Sequence, residues 1–123
     1  MNGTWLGVTA MLGFIAVALG SFGAHALRMR VDEQALGWWQ TAVQYQFVHV
    51  LALFSVVLLA ARMELPGLGV VRWCLVLGMV FFCGSLYAMT LGAPRWLGAV
   101  TPIGGTLWLI AWLWLAVIAF RMQ

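Results

Sequence analysis

Two histidines are the side chains in this sequence best suited to proton transfer or ligand binding. His25 lies in the stretch "GAHAL", where a long apolar run ends shortly before Arg28. His49 lies inside a second apolar run, one helical turn after Tyr45. An imidazole can titrate near neutral pH, bind a metal ion or hydrogen-bond a carbonyl group. Because an ionisable group inside a membrane segment is by default a candidate functional site, both histidines need a structural explanation.

Uncharged polar residues share one side of the segment that carries His49. At 100° per residue, five of them fall within an arc of about 140°: Thr41, Gln44, Tyr45, His49 and Ser55. Polar groups in hydrocarbon are costly unless they are paired, so this arc should face the bundle interior or another chain.

The depth of His49 depends on where its helix enters the membrane. Entry at Trp38 would put His49 about 16 Å deeper than that point, and His25 would be too shallow to reach it. If residues 32 to 43 instead lie along the interface and the helix enters near Gln44, both imidazoles share one layer with Gln44 and Tyr45.

Three interpretations of the histidines are open. They hydrogen-bond backbone carbonyls and tie helices together, or they line a pH-sensitive pathway for protons or a solute, or they ligate haem or a metal ion. Two histidines without an acidic or thiolate companion in the same layer make a poor metal site. We therefore predict no metal and no cofactor.

The sequence offers no arrangement typical of an enzyme. No serine or cysteine stands at nucleophile spacing from a histidine and an acid, and no glycine-rich phosphate loop or paired carboxylate falls inside an apolar run. Cys74 and Cys83 lie about 13 Å apart along one helix, too far for a disulfide. We expect no catalytic residue and no enzymatic activity.

The composition indicates a membrane protein. Of the 123 residues, 65% are hydrophobic and 7% are charged, whereas soluble domains carry roughly 25% charged residues. The six cationic side chains are all arginines at the ends of apolar runs, where they suit lipid phosphates. No basic cluster indicates nucleic acid. We expect a multi-pass protein of the cell (inner) membrane.

Four apolar runs are each long enough to cross about 30 Å of hydrocarbon at about 1.5 Å per residue. They cover residues 4–27, 41–61, 68–91 and 101–120. The predicted fold is all-α, a four-helix bundle forming one transmembrane domain over residues 1–123. The segment "RMRVDEQALGWWQ" predicts a short interfacial helix between the first two spans, since tryptophan prefers the headgroup level.

The connections carry turn residues. "MELPGLG" contains Pro66 and Gly67 and predicts a turn between antiparallel helices. Thr101 and Pro102 suit the N-cap and the first position of the last helix, although a helix that begins near Arg95 and kinks at Pro102 is also consistent. Three arginines fall on each side of the membrane, so the prediction of cytoplasmic termini rests on the α-amino group alone.

Small residues at helical spacing predict where the helices pack. Lipid provides little hydrophobic gain on helix association, so close backbone approach and interhelical hydrogen bonds must hold a membrane bundle together. The predicted packing glycines are Gly13, Gly20, Gly23, Gly78 and Gly105.

Four sequence blocks resemble the domain-of-unknown-function 423 family, which includes YgdD-like and YwdK-like bacterial inner-membrane proteins and transmembrane protein 256. The blocks are "GSFGAHAL", "WWQTAVQYQFVHVLAL", "GSLYAMTL" and "LGAVTPIGG". The resemblance implies a small polytopic membrane protein and carries no established activity. Matching positions add Ser85, Tyr87 and Thr101 to the polar layer of His25, Gln44, Tyr45 and His49.

These observations favour a non-enzymatic binding or accessory/structural membrane subunit. Its partners would be the lipid bilayer and either further copies of itself, as a homo-oligomer, or another membrane protein, with no nucleic acid. One alternative is a small channel or transporter with a pathway lined by Gln44, Tyr45 and His49. A second alternative is a haem-binding or redox-linked membrane protein.

Overall fold

The computed structural model describes residues 3–122, and over that range it is helical with no β-strand. Four long helices follow one another along the chain, each antiparallel to the one before it. They are α1 (Thr4–Leu27), α2 (Glu33–Arg62), α3 (Leu68–Thr90) and α4 (Thr101–Arg121). Each is long and apolar enough to cross a bilayer. The predicted all-α membrane fold is therefore confirmed.

The start of α2 differs from the prediction. Residues 33 to 62 form one continuous helix, so the separate short interfacial helix predicted between the first two spans is wrong. Asp32 caps the helix by accepting a hydrogen bond from the Ala35 backbone N–H at 2.8 Å, and Glu33 suits the positive end of the helix dipole. Thr90 of α3 donates to the Ala35 carbonyl at 3.0 Å. These contacts hold the first turns of α2 against the bundle instead of on the lipid surface.

Glycine and proline shape the connections. Gly67 adopts a φ of 96° at the start of α3, a left-handed conformation that glycine takes without steric cost, so the predicted turn at "MELPGLG" is present. A short 3₁₀-helix, Arg95–Ala99, precedes α4. Thr101 is already helical and Pro102 lies in the first turn, so the predicted N-cap is one residue late. Val100 is the residue that flanks the helix.

The helices pack mainly in chain order. The most extensive contacts join α3 to α4 and α2 to α3, while α1 lies against α2 and its backbone does not approach that of α4. Ala42 and Leu53 of α2 and Leu75 and Cys83 of α3 are buried where these two helices meet. Most of α1 is therefore left to face the bilayer.

A π-helical turn interrupts α1 at Leu19–Gly23. Here the Ala24 N–H bonds to the Leu19 carbonyl, five residues back, and the Trp39 indole N–H donates to the same carbonyl at 2.9 Å. The Trp39 ring packs against Gly23, where an added Cβ would come within 2.6 Å of it. The extra residue in this turn rotates the end of α1 by about 100° relative to an unbroken α-helix.

Arginine and tryptophan pair at both ends of the bundle. The Arg72 guanidinium lies 5.0 Å from the centre of the Trp5 ring, which also meets Trp73 edge-on. At the opposite end, the Arg95 guanidinium lies 5.5 Å from the Trp38 ring centre. Such pairs suit the headgroup level, where one partner is apolar and the other is charged.

Candidate functional site

His49 lies near the middle of α2 and is buried, with 5% of its surface exposed. Its Nδ1 donates to the Tyr45 backbone carbonyl at 2.8 Å. Its Nε2 accepts from the Trp112 indole N–H of α4 at 3.2 Å. The two bonds together select the neutral imidazole with its proton on Nδ1, because a carbonyl can only accept and an indole N–H can only donate.

The imidazole of His49 also stacks on Trp108. The two ring centres are 3.6 Å apart and the planes differ by 4°. Trp108 donates to the Leu75 carbonyl of α3 at 3.0 Å and packs over Gly78, where an added Cβ would contact the indole ring. Gly78 thus creates the notch in α3 through which an α4 tryptophan reaches His49 on α2.

A groove opens beside this cluster towards the bilayer. Its volume is about 550 Å³. Its lining residues come from three helices: Tyr45, His49, Phe82, Pro102, Gly105, Thr106, Trp108, Leu109 and Trp112. Tyr45 is 43% exposed, and within residues 3–122 its hydroxyl has no hydrogen-bond partner. The groove therefore combines aromatic walls with one phenol that is free to donate.

A second polar cluster surrounds Gln46, which is buried. Its Nε2 donates to the Leu12 carbonyl of α1 at 3.0 Å, and its Oε1 accepts from the Tyr87 hydroxyl of α3 at 2.6 Å. Tyr87 meets the Trp39 ring edge-on at 4.7 Å. One amide side chain therefore joins three helices, which is the interhelical bonding expected to hold a membrane bundle together.

Two further contacts join the helices, one between two hydroxyl groups and one made by a thiol. Ser85 of α3 and Thr101 of α4 are 2.5 Å apart, oxygen to oxygen. The Cys83 thiol donates to the Ala42 carbonyl of α2 at 3.2 Å. Among the described residues, the only buried side-chain nitrogen or oxygen without a hydrogen bond is the Nε of Arg72. Apart from that nitrogen, the buried side-chain nitrogen and oxygen atoms of the described residues have hydrogen-bond partners.

The predicted polar residues do not form one layer. Gly23 packs on Trp39, ten residues before His49, so His25 lies at least about 15 Å from His49 along the axis. His25 is exposed, and Gln44 lines a different cleft from Tyr45 and His49. A layer shared by both imidazoles required a break in α2 near Gln44, and α2 is continuous.

The predicted packing glycines lie at helix contacts of different closeness. An added Cβ would be 3.5 Å from Val50 at Gly13 and 2.9 Å from Val43 at Gly20. At Gly105 it would meet only the Phe82 ring, at 3.9 Å. The tight contact on α4 is made by the preceding residue, Gly104, which touches the α3 backbone.

The hydrogen bonds of His49 leave neither ring nitrogen free to bind a metal ion or haem. Both of its ring nitrogens are already bonded, one to a carbonyl and one to Trp112. A metal ion would have to displace Trp112 from Nε2. Within residues 3–122, no group of three or more His, Cys, Asp or Glu side chains converges on one point.

Sequence reasoning missed Gln46 and did not single out Trp112 as a histidine partner. Gln46 lies outside the polar arc counted from Tyr45 and His49, because its side chain points at α1 and Tyr87 instead of α4. A signal was present, since a glutamine in an apolar run needs partners. The sequence places Trp112 one turn after Trp108. It does not show how the last helix is rotated about its axis, so it could not identify Trp112 as the partner of His49.

The bond between His49 and Trp112 can be measured by a double-mutant cycle. His49→Phe keeps a ring over Trp108 but removes the acceptor, and Trp112→Phe removes the donor. We expect the pair to show a coupling free energy of about 1 kcal/mol. Each single variant already loses the hydrogen bond, so the double variant cannot lose it a second time. Unfolding in detergent followed by circular dichroism gives the four free energies. Strict additivity would contradict the bond.

A family model described as "Protein of unknown function (DUF423)" matches residues 19–105. This range includes the π-turn, α2, α3 and the start of α4, and with them Tyr45, His49, Gln46 and Tyr87. The matched region therefore holds His49 and the Gln46–Tyr87 pair, while Trp108 and Trp112, which contact His49, and Leu12, which accepts from Gln46, lie outside it.

Curated relatives resemble the chain over nearly its full length. A UPF0382 membrane protein of Haemophilus influenzae is 39% identical and covers 100% of this chain and 98% of its own. The UPF0382 membrane protein YwdK of Bacillus subtilis is 40% identical, covering 91% and 92%. The UPF0382 inner membrane protein YgdD of Escherichia coli is 40% identical, covering 93% and 87%. No solved structure matches the chain significantly.

Proposed function

The chain belongs to the DUF423 family, whose named relatives are membrane proteins, and from that premise we propose that it is a non-enzymatic binding subunit that self-associates within the bilayer. The observation that carries this proposal is the hydroxyl of Tyr45. It faces the groove between α2 and α4 about one turn from the middle of α2, with no partner in residues 3–122. Hydrocarbon offers no acceptor, so another molecule in the membrane must supply one.

The shape of the groove favours a second copy as that molecule. Leu109 is 71% exposed and stands at the edge of the groove beside the small residues Gly105 and Thr106. A protruding side chain next to a recess is self-complementary, because a two-fold axis places each Leu109 in the recess of the other copy. Close approach at small residues is the usual basis of helix association in lipid.

The pairing of the buried polar groups supports a binding role over a conducting one. His49 is bonded to the Tyr45 carbonyl of its own helix and to Trp112 of α4. Gln46 is bonded to α1 and α3. Gln44 lines a cleft between α1 and α2, whereas Tyr45 and His49 line the groove against α4. The channel and haem hypotheses would both require the cluster to rearrange.

The experiment compares the two tyrosines of the chain. We expect the wild type to elute as a defined oligomer in mild detergent, measured by size-exclusion chromatography with light scattering. Tyr45→Phe should weaken the association about fivefold by removing one interchain hydrogen bond. Tyr87→Phe is the matched control, because that hydroxyl is bonded to Gln46 inside the bundle, and its oligomer should persist. A wild type that stays monomeric at every concentration contradicts the proposal.

We also propose that both termini face the cytoplasm. The side that holds the termini and the α2–α3 turn carries Arg62, Arg72, Arg121 and the α-amino group, one cation more than the opposite side. Fusion of a fluorescent protein to the C-terminus should therefore give fluorescence, and fusion of alkaline phosphatase there should give no activity. The reverse result would invert the orientation.

A further inference from the structure

We infer that the cleft between the end of α1 and the start of α2 binds the phosphate of an anionic phospholipid. The cleft has a volume of about 350 Å³ and is lined by Gly20, Ala24, Arg28, Trp39, Gln40, Val43 and Gln44. It lies on a different face from the groove at Tyr45, and the inference does not depend on the proposed self-association.

The polar side chains of the cleft have unused hydrogen-bond donors. Arg28, Gln40 and Gln44 are exposed, and none of their side chains has a hydrogen bond or ion pair within residues 3–122. A guanidinium carries five N–H donors in a planar fork that matches the oxygens of a phosphate. The cleft therefore presents a cation and two amides to an external acceptor.

The order of these groups follows the order of chemical groups in a phospholipid. The contacts of α1 with α2 place Arg28 beyond Trp39, at the end of the bundle where Trp38 and Arg95 mark the headgroup level. Gln40 and then Gln44 follow along α2 towards the middle of the bilayer, with Val43 between them. Phosphate at Arg28 and ester oxygens at Gln40 and Gln44 would each meet the matching chemistry, and Val43 offers an apolar contact between the two amides.

The π-turn opens this cleft. It rotates the last residues of α1 by about 100°, so that Ala24 and Arg28, one turn apart, both border α2. Gly20 lets α2 approach closely at the base of the cleft, since an added Cβ there would come within 2.9 Å of Val43. The π-turn in α1 thus lies next to Arg28, the cation that lines this cleft.

The nearby acids do not occupy the cleft. Asp32 caps α2 through the Ala35 N–H, and neither Asp32 nor Glu33 forms an ion pair with Arg28. Lipids with a net negative charge are favoured over zwitterionic ones, because they bring no ammonium group towards the guanidinium.

The test measures lipid binding by native mass spectrometry of the purified protein in detergent. Phosphatidylglycerol and phosphatidylcholine with identical acyl chains are titrated separately. We expect phosphatidylglycerol to bind more tightly, and Arg28→Gln to weaken its binding about fivefold, which is the typical contribution of one arginine at an anionic surface. Gln44→Leu should weaken it about threefold.

Arg121→Gln is the matched control, because it removes one exposed arginine at the opposite end of the bundle. It should leave the affinity for phosphatidylglycerol unchanged. Equal binding of phosphatidylglycerol by wild type and Arg28→Gln overturns the site. Displacement of the lipid by millimolar inorganic phosphate overturns the lipid as its source. Arg28→Gln should keep the oligomeric state of the wild type, so failure here is separate from failure of the self-association proposal.

Discussion

Replacing Gly104 with alanine should unfold the junction of α3 and α4. A Cβ on Gly104 would contact the backbone nitrogen of Phe82 and lie 2.6 Å from the Gly78 carbonyl oxygen. Both neighbours are backbone atoms, so no side chain can move aside to accept the methyl group, and the two helices must separate. Overpacking of this kind costs about 3 kcal/mol at the upper end of its range.

The separation of α3 from α4 would also disturb the packing of Trp108 on His49. Trp108, one turn after Gly104, packs over Gly78 and stacks on His49. We expect Gly104→Ala to lower the thermal midpoint in detergent by about 10 °C, measured by circular dichroism at 222 nm. The near-ultraviolet spectrum of the tryptophans should change at temperatures where the helices are still intact.

Gly105→Ala is the adjacent control. An added Cβ at Gly105 meets only the Phe82 ring, at 3.9 Å. Alanine in a helix restricts the unfolded chain more than glycine does, so this variant should be as stable as the wild type or more stable by about 0.5 kcal/mol. Equal midpoints for Gly104→Ala and Gly105→Ala would show that α3 and α4 do not approach as closely as described.

Replacing Gln46 with leucine should loosen α1 from the rest of the bundle. Leucine is similar in volume but removes the bonds to the Leu12 carbonyl and the Tyr87 hydroxyl. The Leu12 carbonyl keeps its place in α1, whereas the Tyr87 hydroxyl is left without its acceptor. We expect a loss of about 2 kcal/mol in the free energy of unfolding.

The loss should be local to α1, since most of that helix faces the bilayer and it packs chiefly on α2. Hydrogen exchange followed by mass spectrometry should show faster exchange in α1 peptides and little change in α3 and α4. Gln44→Leu is the control: it lies two residues away, is exposed, and has no bond within the described chain. If both variants exchange alike, Gln46 does not hold α1.

The sequence predicted the spans better than the site, for a physical reason. Apolar runs of about 20 residues determine membrane crossings because hydrocarbon thickness sets the length of a helix. Three of the four helices begin within a residue of their predicted starts. The exception, α2, continues outward through residues 33 to 40, where capping by Asp32 and contacts with α1 and α3 outweigh the polar composition.

The polar arc on α2 shows that residues on one side of a helix need not share the same surroundings. Its members share an angular range, but His49 is buried against Trp108, Tyr45 is half-exposed in the groove and Gln44 lies in another cleft. Gln46, outside the arc, is the side chain that joins three helices. A helix with neighbours on more than one side can bury polar residues in several directions, so no single face collects them.

By itself, the sequence determined that this is a membrane protein of the DUF423 family with four helices long and apolar enough to cross a bilayer. Span length, low charge and local motifs are properties of consecutive residues, so no tertiary contact is needed to recognise them. Only the tertiary structure decided which groups meet. The rotation and depth of each helix place His49 on Trp108, Gln46 between Leu12 and Tyr87, and His25 far from both. Those placements depend on contacts between residues distant in the chain, such as Gly78 and Gly104, where the absence of one methyl group sets how closely two backbones approach.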